Sequence, residues 1–143
     1  VNLNNKIYVL GGQNDHGVVA EVKYFVYEEK LWHRVAPMLQ PRSAFAAVIG
    51  QDGKIYAIGG YNDGASLSSV ERYDPKLNKW EQVGDMNVGH SSHQAIAMPN
   101  GYIYVFGGWV CHERYSIKRN KWVVMKDMKD GKSGMTPVPN ILD

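Results

Sequence analysis

The sequence predicts an all-β protein built from repeated four-stranded antiparallel sheets. A short apolar strand ending in two glycines occurs three times, as KIYVLGG, KIYAIGG and YIYVFGG, and the second glycines, Gly12, Gly60 and Gly108, follow one another at a spacing of 48 residues. Asp-Gly and Asn-Gly pairs, which suit tight hairpins because both residues tolerate positive φ, precede two of these strands. The 3.6-residue periodicity of an amphipathic helix does not occur outside short loop segments.

Each unit is predicted to contain four strands in a fixed order. A small and apolar run forms the inner strand, as in SAFAAVI (43–49) and HQAIAM (93–98), and the strand that ends in Gly-Gly follows it. The third strand carries an aromatic residue, in VKYF, VERYD and ERYS, and the fourth begins with tryptophan, in WHRV, WEQV and WVVM. Four short antiparallel strands in each unit of about 40 to 50 residues are typical of a β-propeller blade.

The tryptophans set the register of the three units. Trp32 and Trp80 follow their glycine pairs by 20 residues, whereas Trp122 follows its pair by 14 because the third unit has a shorter loop. A methionine lies six residues after each tryptophan. We predict units at residues 1–42, 43–90 and 91–132, with 133–143 as a tail or the start of a further inner strand. The first unit is expected to lack its own inner strand, because residues 1–5 align with the end of one.

The order of these motifs resembles the kelch repeat. Gly-Gly is followed by Tyr-Asp-Pro at residues 73–75, then by Trp80, Met86 and a basic residue near position 90. The resemblance covers about residues 1 to 132, and its spacing differs from that of the propeller repeat that ends in Trp-Asp. The first unit departs from it with Phe-Val-Tyr at 25–27, and His90 and Lys132 stand where kelch repeats usually have arginine. The resemblance implies a kelch β-propeller of which this chain supplies three blades, half of a six-bladed ring.

The repeated residues are assigned to the scaffold. A large planar side chain fills the space between wedge-shaped blades, and a glycine pair lets the backbone turn sharply and approach a neighbour closely. The predicted scaffold residues are Gly11, Gly12, Trp32, Gly59, Gly60, Tyr73, Trp80, Gly107, Gly108, Tyr115 and Trp122.

The residues that follow the repeated motifs are predicted to bind a partner, because variable loops on a rigid scaffold commonly carry function. In similar kelch proteins a partner peptide is held by residues directly after Gly-Gly and just past the basic position. At the matching positions of this chain stand Gln13, Asp15, Ser43, Tyr61, Asp63, Ser91, Ser92, Trp109 and Ser133. Arg42, His90 and Lys132 either line the same rim, where they would favour an acidic segment, or form structural contacts between blades. On the rim, His90 would make binding sensitive to pH near its ordinary pKa of ~6.5.

No catalytic or metal site is predicted. His90 and His93 are expected to point to opposite faces of a strand, and no second Cys/His pair at zinc spacing accompanies Cys111 and His112. No helix follows the glycine pairs, which argues against phosphate loops. Some kelch-type propellers are copper oxidases, but nothing supports Cys111 as the crosslinked cysteine of such a site. We therefore expect a non-catalytic binding module without cofactor or metal.

The charge composition argues against two classes of partner. The net charge is +2, from 16 basic and 14 acidic residues without a basic block, so neither nucleic acid nor a membrane surface is indicated. The single cysteine permits no internal disulfide and fits the cytoplasm. The resemblance implies the substrate-recognition domain of a BTB–kelch adaptor for a cullin-type ubiquitin ligase. The alternative is an actin-binding kelch protein of the cytoskeleton.

Three blades do not close a ring, because propellers typically carry about 4–8 blades. Either the chain is part of a longer kelch domain, or two copies form a six-bladed homodimeric ring in which each tail completes the other copy's first blade. Pro137 and Pro139 weaken the second interpretation, because proline cannot donate a ladder hydrogen bond and is tolerated only at a sheet edge.

Overall fold

The computed structural model describes residues 1–107 and 111–125 of the chain. These residues form three four-stranded antiparallel sheets and two short hairpins, and no helix occurs among them. The all-β prediction and the four-stranded antiparallel units are confirmed. The described residues include no helix that is long and apolar enough to cross a bilayer.

The strands run in chain order through the three sheets. Sheet 1 contains β1 (Asn2–Leu3), β2 (Lys6–Leu10), β5 (Val22–Val26) and β6 (Leu31–Val35). Sheet 2 contains β7 (Ala46–Ile49), β8 (Ile55–Ile58), β11 (Val70–Asp74) and β12 (Lys79–Gln82). Sheet 3 contains β13 (Gln94–Ala97), β14 (Tyr102–Phe106), β15 (Glu113–Ser116) and β16 (Lys121–Val124). Each sheet pairs its strands in sequence order, as a propeller blade does.

The two hairpins interrupt the first two sheets directly after their glycine pairs. They are β3 (Gln13–Asn14) with β4 (Gly17–Val18), and β9 (Tyr61–Asn62) with β10 (Ala65–Ser66). Both hairpins therefore leave the same edge of neighbouring sheets.

Sheet 1 begins with a short inner strand, at the place where residues 1–5 align with the end of one. β1 is two residues long and pairs Asn2 with Ile7 and Leu3 with Lys6. The inner strands of sheets 2 and 3, β7 and β13, are each four residues long.

One apolar core lies between sheets 1 and 2. Val22 and Met38 from the first unit pack in the same cluster as Tyr73 and Trp80 from the second, and all four are buried. An equivalent core lies between sheets 2 and 3, where Val70, Met86, Tyr115 and Trp122 occupy the matching places. Side chains alternate between the two faces of a strand, so the middle sheet contributes one face to each core.

Each buried tryptophan also joins its sheet to the preceding unit by a hydrogen bond. Trp80 Nε1 donates to the Ala36 carbonyl at 2.9 Å, and Trp122 Nε1 donates to the Gly84 carbonyl at 2.8 Å. The same two carbonyl-bearing residues donate their amides to an asparagine of the following sheet. The Ala36 amide donates to Asn78 Oδ1 at 2.9 Å, and the Gly84 amide donates to Asn120 Oδ1 at 2.7 Å.

A tyrosine completes each of these contacts. Tyr73 donates its hydroxyl hydrogen to Asn78 Oδ1 at 2.8 Å, and Tyr115 donates to Asn120 Oδ1 at 2.7 Å. Sequence reasoning missed both asparagines, although each lies two residues before a repeated tryptophan. The first unit has Lys30 at this position.

The outward face of sheet 1 is not covered by any described residue. Trp32 is 53% exposed, whereas Trp80 and Trp122 are each 4% exposed at the same repeat position. Ile7 on the same sheet is 50% exposed, although its counterpart Ile55 is fully buried. The assignment of Trp32 to the space between two sheets is therefore corrected: it has the repeat position but no described sheet opposite it.

Candidate functional site

The candidate site lies at the edge where the two hairpins leave the sheets. The turn residues Asp15 and Asp63 are exposed, as is Gln13 at the start of the first hairpin. Tyr61 begins the second hairpin and is 42% exposed although it is aromatic. Each hairpin starts at a glycine pair, so the packed sheet ends where these exposed residues begin.

Each of the two hairpins contacts the crossover segment that leads to the next sheet, which is 36–45 after sheet 1 and 83–93 after sheet 2. The Gly12 amide donates to the Arg42 carbonyl at 2.9 Å, and the Arg42 amide donates to the Val19 carbonyl at 3.3 Å. The second unit repeats this pattern, because Gly60 donates to the His90 carbonyl at 2.7 Å and His90 donates to the Leu67 carbonyl at 3.1 Å. Hairpin and crossover therefore form one continuous surface in each unit.

Backbone pairing also joins the second hairpin to the start of its own sheet. Ser43 and Tyr61 form an antiparallel bridge in which the Tyr61 amide donates to the Ser43 carbonyl at 2.7 Å and the Ser43 amide donates to the Tyr61 carbonyl at 3.0 Å. This close approach requires glycine beside it. Gly60 has a φ of 102°, and a Cβ there would lie 2.6 Å from the Ser43 carbonyl oxygen.

The third unit joins the same surface through two serines. Ser91 Oγ lies 3.0 Å from Ser66 Oγ in the second hairpin, and the Ser92 amide donates to the Ala44 carbonyl at 2.9 Å. We define the mouth surface as residues 13–18, 43–44, 61–66 and 91–92. It brings together seven of the predicted partner-binding residues: Gln13, Asp15, Ser43, Tyr61, Asp63, Ser91 and Ser92. Trp109 and Ser133 lie outside the described residues, as do Gly108 and Lys132.

Arg42 lies beneath the mouth surface, which corrects its assignment to the rim. Its side chain is 1% exposed, and Nη1 donates to the carbonyls of Gly59 at 2.6 Å and Ser69 at 3.0 Å. Nη2 donates to Glu71 Oε2 at 2.9 Å. Burial lowers the pKa of Arg42, and the Glu71 carboxylate opposes that shift. The structural alternative therefore describes this residue: it holds the base of the second hairpin to the crossover.

Glu71 organises the crossover from the other side. Its carboxylate accepts hydrogen bonds from the amides of Leu39 at 2.7 Å and Gln40 at 3.2 Å, in addition to the Arg42 guanidinium. Sequence reasoning missed Glu71. The available signal was a glutamate at the same repeat position in the third unit, Glu113.

His90 precedes sheet 3 at the repeat position that Arg42 has before sheet 2, and it is also buried, at 1% exposed. Its Nε2 lies 3.3 Å from Glu113 Oε1. Glu113 also accepts hydrogen bonds from the Asn87 amide and side chain, both at 2.9 Å, and from the Val88 amide at 3.1 Å. Burial raises the pKa of Glu113, but the hydrogen bonds from His90, Asn87 and Val88 outweigh it and lower the pKa overall. The rim assignment of His90 is therefore corrected as well.

His90 and His93 face each other, contrary to the expectation that they point to opposite faces. Their ring centroids are 5.7 Å apart, and both side chains are buried. The reason is Ser92, whose φ of 52° breaks the strand alternation, and β13 begins only at Gln94. Burial lowers the pKa of His93 to about 4, and the neighbouring His90 acts in the same direction. His112 is buried too, so all three histidines lie in loop segments but not at the surface.

The third unit also brings metal-ligand types together, which the spacing rules did not predict. The ligand atoms of His90, Cys111 and Glu113 all lie within 4.8 Å of one another. Cys111 lies two residues before β15, so its nearness to His90 arises from the fold and not from sequence spacing.

Comparison with known proteins agrees with the geometry. The family model described as the Kelch motif matches residues 1–39 and 42–87, which is more than half of the chain. No curated protein matches the chain. The third sheet lies beyond the matched residues, yet it repeats the strand order and the Tyr–Asn–Trp contacts of the second.

Proposed function

The chain belongs to the kelch-repeat family, whose repeats are generally protein–protein interaction modules, and from this premise we propose that its mouth surface binds a segment of a partner protein. The observation that carries the proposal is the difference between the exposed side chains of the mouth surface and the buried contacts beneath them. Exposed side chains with hydrogen-bonding groups and one exposed tyrosine project from loops whose bases are held by buried contacts. Sites of this kind bind with little ordering cost, because the loops are already in place.

The charge of the mouth surface indicates the chemistry of the partner. Two of the three residues on which the expectation of an acidic segment depended, Arg42 and His90, are buried, and the third, Lys132, lies outside the described residues. Asp15 and Asp63 are the exposed charges of the two hairpins. A segment with a lysine or arginine would pair with these carboxylates, while Tyr61 supplies an anchor of the type found in binding hot spots. We therefore assign the mouth a basic or neutral peptide segment instead of an acidic one.

A peptide array tests this assignment. Each peptide on the array is paired with a copy in which its lysines are replaced by glutamate. The array is probed with the wild-type protein and with the Asp63→Asn variant. Basic segments should bind the wild type, lose affinity with added salt, and bind Asp63→Asn more weakly. Leu77→Ala is the matched control, because Leu77 is 71% exposed in the turn at the opposite edge of sheet 2. Preferential capture of acidic segments would contradict the proposal.

We further propose that the bound partner is a substrate recruited to a cullin-type ubiquitin ligase in the cytoplasm, as the likeness to BTB–kelch adaptors implies. The support for this step is family membership, so its test is separate. The full-length protein should co-purify with a cullin and should raise ubiquitination of its mouth-bound partner. Co-sedimentation with actin filaments without cullin association would replace this role by the cytoskeletal one.

We also propose that the open outward face of sheet 1 packs against further propeller blades, because the matching faces inside the chain are fully buried. Such blades come from a longer chain or from a second copy of this one. Lys23 stands where Glu71 and Glu113 stand in the other units, and the residue of a second copy at the repeat position of Arg42 and His90 would be Lys132, so two like charges would meet there. This favours a differently built neighbour over a second copy. Light scattering decides: a dimeric mass of the 143-residue chain would support the two-copy ring.

A further inference from the structure

Sheets 2 and 3 each bury a glutamate at the same repeat position, but the residues around that glutamate differ. At sheet 2, the buried carboxylate of Glu71 lies against the Arg42 guanidinium, which also donates to Ser69 Oγ at 3.2 Å. The corresponding residues at sheet 3 are Glu113, His90 and Cys111. An arginine–serine pair has thus been exchanged for a histidine–cysteine pair around an unchanged buried glutamate.

The exchange removes a permanent cation from a buried site. Glu113 is fully buried, and a buried carboxylate is costly unless a positive charge or several donors compensate it. Asn87, Val88 and His90 supply donors, but neither imidazole nor thiol carries the fixed charge that the guanidinium carries in the second unit. A bound cation would replace it.

The geometry suits such a cation. His90 Nε2 and Glu113 Oε1 are 3.3 Å apart, and tetrahedral zinc with bonds of about 2.0–2.2 Å to nitrogen and oxygen places such ligands about 3.4 Å apart. The Cys111 sulfur completes a group in which all ligand atoms lie within 4.8 Å. Sulfur, imidazole and carboxylate together are a ligand set for zinc and not for magnesium or calcium.

We propose that His90 Nε2, Cys111 Sγ and Glu113 Oε1 bind one Zn²⁺ at the place that the Arg42 guanidinium occupies in the second unit. The metal takes the place of the His90–Glu113 hydrogen bond, and the Cys111 thiol releases its proton to solvent when it binds. The amides of Asn87 and Val88 and the Asn87 side chain hold the carboxylate in position from outside the ligand set. Zinc thereby ties the crossover that carries Ser91 and Ser92 to β15, beneath the mouth surface.

Zinc titration against a chromophoric chelator tests the proposal on the purified protein. We expect one equivalent of zinc, release of protons on binding and a higher melting temperature with zinc than after chelation. Cys111→Ser should weaken zinc binding by about 100-fold or more, beyond the 10–100-fold that loss of an outer-shell partner costs. With cobalt as the probe, the sulfur-to-metal charge-transfer band should appear in the wild type and vanish in Cys111→Ser.

The chain itself offers the matched control. The double variant His90→Arg, Cys111→Ser reproduces the residues of the second unit, so it should fold, bind no zinc and show a melting temperature that zinc does not change. Less than one equivalent of zinc in the wild type, or unchanged zinc affinity in Cys111→Ser, would overturn the proposal. Zinc retained by a folded double variant would do so as well. If that variant does not fold, the cobalt comparison decides alone.

Discussion

Replacing equivalent tryptophans tests the account of how the blades pack. Trp80→Ala removes a side chain that is 4% exposed, packs against Tyr73 at a ring separation of 5.2 Å, and donates to the Ala36 carbonyl. Truncating a buried tryptophan costs about 3–5 kcal/mol, and the lost hydrogen bond contributes about 1 kcal/mol. We therefore expect Trp80→Ala to lower the free energy of unfolding by about 4–6 kcal/mol, a large fraction of the total stability of a small domain.

Trp32→Ala is the matched variant at the same repeat position. Trp32 is 53% exposed and contacts Phe25 and Lys23 of its own sheet. Substitution of a half-exposed residue of this kind should cost about 1 kcal/mol. Urea unfolding followed by far-UV circular dichroism measures both free energies, provided that the m value, the slope of the free energy against urea concentration, is the same in the two variants. In the 143-residue chain on its own, equal losses in the two variants would refute the reasoning, because they would mean that a second copy covers the outward face of sheet 1 in solution.

Three further predictions follow from the contacts beneath and within the mouth surface. Arg42→Met should lower the free energy of unfolding by about 3–5 kcal/mol because it leaves Glu71 buried without its cation, and adding Glu71→Gln should restore part of that loss in a double-mutant cycle by urea unfolding. Gly60→Ala should lower the melting temperature more than Gly12→Ala. Both glycines have positive φ, which costs about 1–2 kcal/mol for alanine, but only at Gly60 would the Cβ meet a neighbouring backbone. Equal melting temperatures of the two variants would contradict this prediction. Tyr61→Ala should weaken partner binding by about 2 kcal/mol or more while leaving the melting temperature nearly unchanged, which fluorescence anisotropy and thermal melting check together.

The repeat predicted most of the fold because it records the same packing requirement at each blade. Gly-Gly, the third-strand aromatic and Trp recur at positions that the structure places at hairpin bases and between sheets. What the repeat could not predict was whether a given interface exists, so Trp32 has the pattern of Trp80 without its burial. That difference depends on a neighbouring sheet, which no local pattern encodes.

The location of the exposed candidate residues followed from the sequence, whereas the buried contacts beneath them did not, and that these residues bind a partner stays a prediction. Residues after the glycine pairs lie on the mouth surface as expected, since loop position follows directly from strand ends. Arg42 and His90 were ambiguous because a polar side chain at this position can extend to solvent or fold under the loop, and only the placement of Glu71 and Glu113 in the next sheet decides between these. The facing of His90 and His93 depended on one positive φ at Ser92, which sequence periodicity cannot show.

The central claim is that the mouth surface binds the partner protein, and site-specific photo-crosslinking in the full-length protein tests it most directly. A photoreactive residue is placed at Tyr61 in the mouth or at Leu77 at the opposite edge, both of which are exposed. The account predicts a defined crosslinked partner from position 61 that disappears when Asp63→Asn is added, and none of that partner from position 77. A partner crosslinked equally from both positions, or only from position 77, would contradict it.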